Sequence, residues 1–138
     1  MVAFVVADVI PAKPEEIYRA WLDSEGHSLM TGGEARVSNR VGEGFEAWGG
    51  YIQGRNLELE EGVRIVQAWR TVEFSEEEGD SLLEVTLEAV EEGTLVTLRH
   101  SGLPEHGGQY EQGWVENYFQ PMKAYFGRRI DGSYDEVG

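Results

Sequence analysis

The sequence predicts an α+β domain in which a seven-stranded antiparallel sheet is covered on one face by a long C-terminal helix. Three observations predict it. A short Val-rich run opens the chain and stops at Pro11, strand-like segments separated by turn residues fill 34–101, and aromatic or apolar residues recur at every fourth position from Tyr110 to Phe126.

Ala3 to Ile10 reads as the first strand, ended by Pro11. Pro14 suits the first position of a helix, Glu15 and Glu16 complement the positive end of its dipole, and Ile17, Tyr18, Trp21 and Leu22 form its apolar stripe. Asp23 or Ser24 caps a second brief helix through Met30, which Gly32-Gly33 stops. From Glu34 to Ser101, breaks at Val41–Gly44, Gln53–Gly54, Glu60–Gly62, Glu76–Asp80 and Glu91–Gly93 leave six further strands. Leu83, Val85, Leu87 and Ala89 alternate with polar residues, so one sheet face is dry and needs a cover. The chain holds 18 glycines, against about ten at ~7% usage, and Gly42, Gly44, Gly49, Gly50 and Gly54 place bulges and bends in the early sheet. The cover is the segment carrying Tyr110, Trp114, Tyr118, Met122 and Phe126, with Val115 and Phe119 alongside. Pro121 removes a hydrogen bond to the carbonyl of Asn117 and kinks this helix, and Gly127 fits its C-terminal cap. One domain over 1–127 results, followed by a tail over 128–138.

Charge then narrows the partners. Lys and Arg number 11 against 26 Asp and Glu, a net charge of −15, which repels nucleic acid and anionic membrane surfaces. There is no cysteine, hence no disulfide, thiol nucleophile or Cys-ligated zinc. Met1 to Ala7 lacks a basic leader and meets Asp8 too soon for a signal peptide or a membrane span, so the expected location is cytoplasmic.

Catalytic signatures are missing. His27, His100 and His106 are not spaced as metal ligands on one helix, and neither a G-x-S-x-G elbow nor a phosphate-binding glycine loop is present. No metal and no cofactor are expected. The carboxylate runs Glu60-Glu61, Glu76-Glu77-Glu78 and Glu91-Glu92 border turns, where water keeps them ordinary surface groups.

Five stretches, taken in order, carry a resemblance. They are Pro14-Glu-Glu-Ile-Tyr-Arg-Ala-Trp21, Gly44-Phe45 leading to Gly50-Tyr51-Ile52-Gln-Gly54, Ile65-Val-Gln-Ala-Trp-Arg70, His100-Ser-Gly-Leu-Pro104 and Gln112-Gly-Trp-Val-Glu-Asn-Tyr-Phe119. Over residues 3–127 the chain resembles the heat shock protein 90 ATPase activator-like family of START-like, helix-grip domains. The resemblance implies a curved antiparallel sheet gripping the last helix, an apolar cavity between them that related domains use for lipid-like or aromatic ligands, and no cofactor. It also implies likeness only to the C-terminal domain of the two-domain eukaryotic co-chaperones.

Two functions follow from that resemblance. The first is non-enzymatic binding of a small apolar or lipid-like ligand, with Trp48, Tyr51, Trp69, Tyr118 and Met122 on the cavity wall. The alternative is a protein-interaction module with a chaperone as partner. Related cyclases and hydratases supply a third reading, for which Arg70, Arg99, His100, Tyr51 and Gln67 are the polar candidates.

Overall fold

Two prolines shape the first chain reversal. The structure, a computed structural model, describes residues 1–130. β1 (Val2–Ile10) ends before Pro11, and α1 (Pro14–Trp21) carries Pro14 in its first turn, where a missing N–H leaves no helical bond unmade. α2 (Ser24–Thr31) is capped by Asp23, whose carboxylate accepts the Gly26 N–H at 2.8 Å. Gly32 closes it in the left-handed region, φ 87°.

The sheet follows as β2 (Gly44–Ala47), β3 (Ile52–Glu60), β4 (Arg64–Thr71), β5 (Ser81–Val90) and β6 (Gly93–Leu103). Its order is β1-β6-β5-β4-β3-β2, antiparallel throughout. Ile65 and Trp69 of β4, Leu83, Val85 and Leu87 of β5, and Val96 and Leu98 of β6 are buried together on the face that meets the helices. The expected alternation on β5 stops at Leu87, because Ala89 is exposed near the strand's end.

Among the described residues the sheet has six strands, one fewer than the sequence predicts. The segment from Glu34 contributes only an isolated bridge, Arg36 opposite Glu46. Beyond the Arg36–Glu46 pair with β2, side chains satisfy much of its backbone. Ser28 and Ser24 hydroxyls accept the N–H groups of Ala35 and Val37 at 2.9 and 3.0 Å, and the Asn56 amide donates to the carbonyls of Ser38 and Arg40 at 2.8 and 3.0 Å.

A second difference concerns Gly54, which lies within β3 and is not a turn. A Cβ there would stand 2.0 Å from the Ala68 carbonyl oxygen and 2.6 Å from the Phe45 ring. Close approach, not chain reversal, requires the glycine. The reversal falls earlier, in the short helical turn Trp48–Gly50, where Gly49 and Gly50 adopt φ 67° and 95°.

The C-terminal cover is one helical segment in three parts: α3 (Gln109–Trp114), a π-helical turn (Val115–Phe119) and α4 (Gln120–Ile130). An i+4 ladder drifts by ~40° per step in an ideal α-helix, so Tyr110 and Phe126 would end ~160° apart around an unbroken one. The π turn acts as a one-residue insertion and takes back ~100° of that drift. As a result Tyr110, Trp114, Tyr118, Met122 and Phe126 are all buried, together with Phe119.

The same turn accommodates Pro121. Gln120 N–H bonds to the carbonyl of Val115, five residues back, so the ladder is already widened where the proline ring enters it. The predicted disturbance therefore takes the form of a π turn, and the apolar face continues through it. α4 runs past Gly127 to Ile130, so Gly127 is not the cap. Of the tail expected over 128–138, residues 131–138 lie outside the described residues.

Met122 is fully buried among these side chains. Met122→Ala is expected to lower unfolding stability by ~2–5 kcal/mol, the cost of a large-to-small change in a filled core. Urea unfolding measures it.

Candidate functional site

The helical cover does not close completely against the β2–β3 end of the sheet. A cavity of about 320 Å³ opens there, lined by Trp48, Tyr51 and Ile52 from the β2–β3 connection, Trp69 from β4, and Tyr110, Gly113, Trp114, Asn117 and Tyr118 from the helix. Rings dominate its wall: Trp69 meets Tyr110 edge-on at 5.0 Å between centroids, and Trp114 meets Tyr118 at 4.7 Å.

Four of the five residues predicted to form the site come together here: Trp48, Tyr51, Trp69 and Tyr118. Met122 does not line it. This residue lies one turn beyond Tyr118, fully buried in the core. Tyr110, Trp114 and Asn117 also line the cavity and are not among the residues predicted to do so. Tyr110 and Trp114 are members of the helical ladder read from the sequence, on the same face as Tyr118 and N-terminal to it, and that shared face is the signal that points to them.

Trp48 is the unusual member. Among the described residues it is the one non-glycine with positive φ, 52°, in the left-handed region that costs a bulky residue on the order of 1–3 kcal/mol. Its indole N–H is buried without a hydrogen-bond partner among the described residues. The ring is seated on Gly33, where a Cβ would lie 2.4 Å from Trp48 Cε3.

Behind two of the lining rings, the Tyr51 and Tyr110 hydroxyls both donate to Glu73 Oε1, at 2.7 and 3.2 Å, while Thr71 Oγ1 lies 2.6 Å from the Tyr110 hydroxyl. Burial, followed by the bond to Glu73, raises the Tyr51 phenol well above its usual range, and burial raises Tyr110 as well. Both remain protonated donors at neutral pH.

Beneath the cavity two buried histidines tie the helical segment to its surroundings, and their partners fix their tautomers. His27 Nδ1–H donates to the Trp21 carbonyl at 2.9 Å, and His27 Nε2 accepts the Tyr118 hydroxyl at 2.7 Å. On the other side the Trp114 indole N–H donates to His100 Nδ1 at 3.0 Å. His100 Nε2–H then donates to Ser81 Oγ at 2.9 Å, and the Ser81 hydroxyl donates to the Trp69 carbonyl at 2.7 Å. Each ring is neutral with both nitrogens occupied, which leaves neither one a free position for acid–base work. Burial lowers His27 to about 4 and His100 to about 3.

The remaining polar candidates are not on the cavity wall. Arg70 is held by Asp80 at 2.9 Å and by the carbonyls of Ser75 and Glu78, Arg99 is exposed near Glu84 at 3.9 Å, and Gln67 is buried with its amide on Asn56 Oδ1 at 2.9 Å. Only Tyr51 of that group reaches the site. His106 pairs with Glu78 at 3.2 Å at the surface, and no cluster of three or more His, Asp or Glu suited to a metal occurs among the described residues. No helix among them is long and apolar enough to cross a membrane.

A lowered histidine pKa makes the native state bind fewer protons than the unfolded chain. Stability from His27 and His100 is therefore fully present above about pH 6.5 and is lost as pH falls towards their folded values. Between about pH 7 and pH 5 the loss is on the order of 2 kcal/mol for each ring. Urea unfolding across that window is expected to show it, with His27→Gln removing one ring's share of the slope.

Comparison with known proteins agrees with this architecture. A Plasmodium falciparum structure described as an HSP90 activator superposes with a TM-score of 0.82 at 23% identity, covering 92% of this chain and 97% of that one. The solution structure of the Aha1 dimer from Colwellia psychrerythraea gives a TM-score of 0.75 at 20% identity, over 91% and 96% of the two chains. These likenesses show the helix-grip fold. A Dictyostelium discoideum protein named activator of 90 kDa heat shock protein ATPase homolog is 28% identical over 117 residues, 82% of this chain. The chain spans 30% of the length of that relative. The family model described as Activator of Hsp90 ATPase homolog 1-like protein matches residues 11–127, and the chain belongs to that family.

Proposed function

We propose that this domain binds a small apolar, flat-faced molecule in the cavity between the β2–β3 connection and the C-terminal helix, and that it works by binding without chemical turnover. The observation that carries the reading is Trp48. Its backbone strain and its unpartnered N–H fall on one residue, and that residue is on the wall of the cavity. Strain of this kind persists where the surrounding structure holds it for a purpose other than stability. The aromatic lining suits stacking on a ligand, and the volume lies in the range of small-molecule sites. The saturated histidines support the non-enzymatic part of the reading.

A second reading rests on the named relatives. Two of them are described as activators of heat shock protein 90, which favours a role as a chaperone-binding module. Stimulation of a chaperone ATPase by this chain, undiminished when the cavity is occupied, would move that reading into first place.

The neutral fluorophore N-phenyl-1-naphthylamine tests the first reading. It is expected to bind the wild type and to quench tryptophan emission, and Trp48→Gly is expected to weaken binding by about tenfold or more, as loss of an aromatic anchor does. Because that change also relieves the left-handed strain, it should cost less than the ~3–5 kcal/mol of removing a fully buried Trp. A wild type that binds no probe at any solubility-limited concentration would defeat the proposal.

A further inference from the structure

The cavity has a charge preference that its apolar character conceals. Six rings face it, those of Trp48, Tyr51, Trp69, Tyr110, Trp114 and Tyr118, and none of its lining residues is Lys, Arg or His. An acidic ligand would find no counter-ion there. Arg70, the neighbour of Trp69 in sequence, is bound to Asp80 and to two loop carbonyls and does not line the cavity.

Negative charge, by contrast, stands one hydrogen bond behind the wall: Glu73, like Arg70, does not line the cavity, but it accepts from two phenols that do. Glu73 Oε1 accepts from the hydroxyls of Tyr51 and Tyr110, so its carboxylate stands at the edge of two of the six rings. A phenol that donates to a carboxylate has a more electron-rich ring, which strengthens the attraction of its face for a cation. The chain as a whole carries −15, and this raises the local concentration of cations over anions. The structure already uses the same interaction within itself: the Arg70 guanidinium carbon lies 5.2 Å from the centre of the Phe74 ring, one residue beyond Glu73.

We infer that the ligand is an organic cation, a small molecule with an alkylated ammonium group on an apolar body, held by the aromatic walls, with the Glu73 carboxylate behind Tyr51 and Tyr110 supplying negative potential. The inference rests on the small-ligand reading given above and narrows it. An ammonium head alone would leave much of a 320 Å³ cavity unfilled, so the body of the molecule shares the site with the charge. Asn117, also on the wall, supplies one amide able to accept or donate a hydrogen bond.

Two probes of equal shape separate the charge from the fit. Benzyltrimethylammonium and neopentylbenzene differ by a quaternary nitrogen in place of a carbon, and binding of each is followed through the indole N–H resonances of the tryptophans. The cation is expected to bind about tenfold more tightly than its carbon isostere, to weaken as salt is added, and to lose several-fold in affinity in Glu73→Gln, in which the isostere is unaffected. Glu73 is exposed, so this variant folds without a buried penalty. Equal or tighter binding of neopentylbenzene would overturn the cation while leaving the apolar cavity standing. If neither probe nor N-phenyl-1-naphthylamine binds, the cavity reading and the inference fall together.

Discussion

A sheet with one dry face is unstable in water until something covers that face, and everything else in this molecule answers to that requirement. Ile65, Leu83, Val85, Val96 and Leu98 present an apolar surface that the C-terminal helical segment buries together with Ile17 and Trp21 of α1 and Met30 of α2. The cover must keep the same side chains facing down for more than twenty residues. An α-helix with an i+4 ladder cannot do so, because its face turns away from the sheet as it advances. The π turn at Val115–Phe119 restores the phase, and it does so at the point where Pro121 would otherwise break the hydrogen-bond ladder. One local irregularity thus resolves both a geometric and a chemical conflict.

Where the cover sits flush, polar groups pin it. The Trp114 N–H on His100 and the Tyr118 hydroxyl on His27 are directional bonds inside an otherwise apolar layer, and they hold the middle of the helix against β6 and α2 respectively. Such bonds specify position where apolar packing alone would tolerate sliding. Where the cover lifts away, at the β2–β3 end, the cavity is left. Its aromatic lining makes that gap usable.

Much of this was legible in the residues. The Pro11 stop, the Pro14 start, the Asp23 cap and the Gly32 stop each have a local cause, and each appears as read. The ladder from Tyr110 to Phe126 announced the buried helix face. What failed was non-local. Gly54 looked like a turn because the approach of the Ala68 carbonyl and the Phe45 ring cannot be seen from its neighbours in sequence. Residues 34–40 looked like a strand because the sequence does not reveal that Ser24, Ser28 and Asn56 would take their backbone bonds. For the site, residue type found Trp48, Tyr51, Trp69 and Tyr118. Met122 shares the helix face of Tyr118 but lies a turn beyond the cavity, in the core, and residue type alone does not tell the two places apart.

The contact between Gly33 and the Trp48 ring ties the cavity to a distant part of the chain. Gly33 follows the stop of α2, so one wall of the cavity leans on the helical layer as well as on the sheet. The two positions are therefore not free to vary separately. A methyl group at 33 displaces the indole, and a smaller residue at 48 removes the need for glycine at 33. In a lineage of such chains, a change of ligand shape could be achieved by exchanging bulk between these two sites, with the sheet, the helical ladder and both histidine relays left untouched.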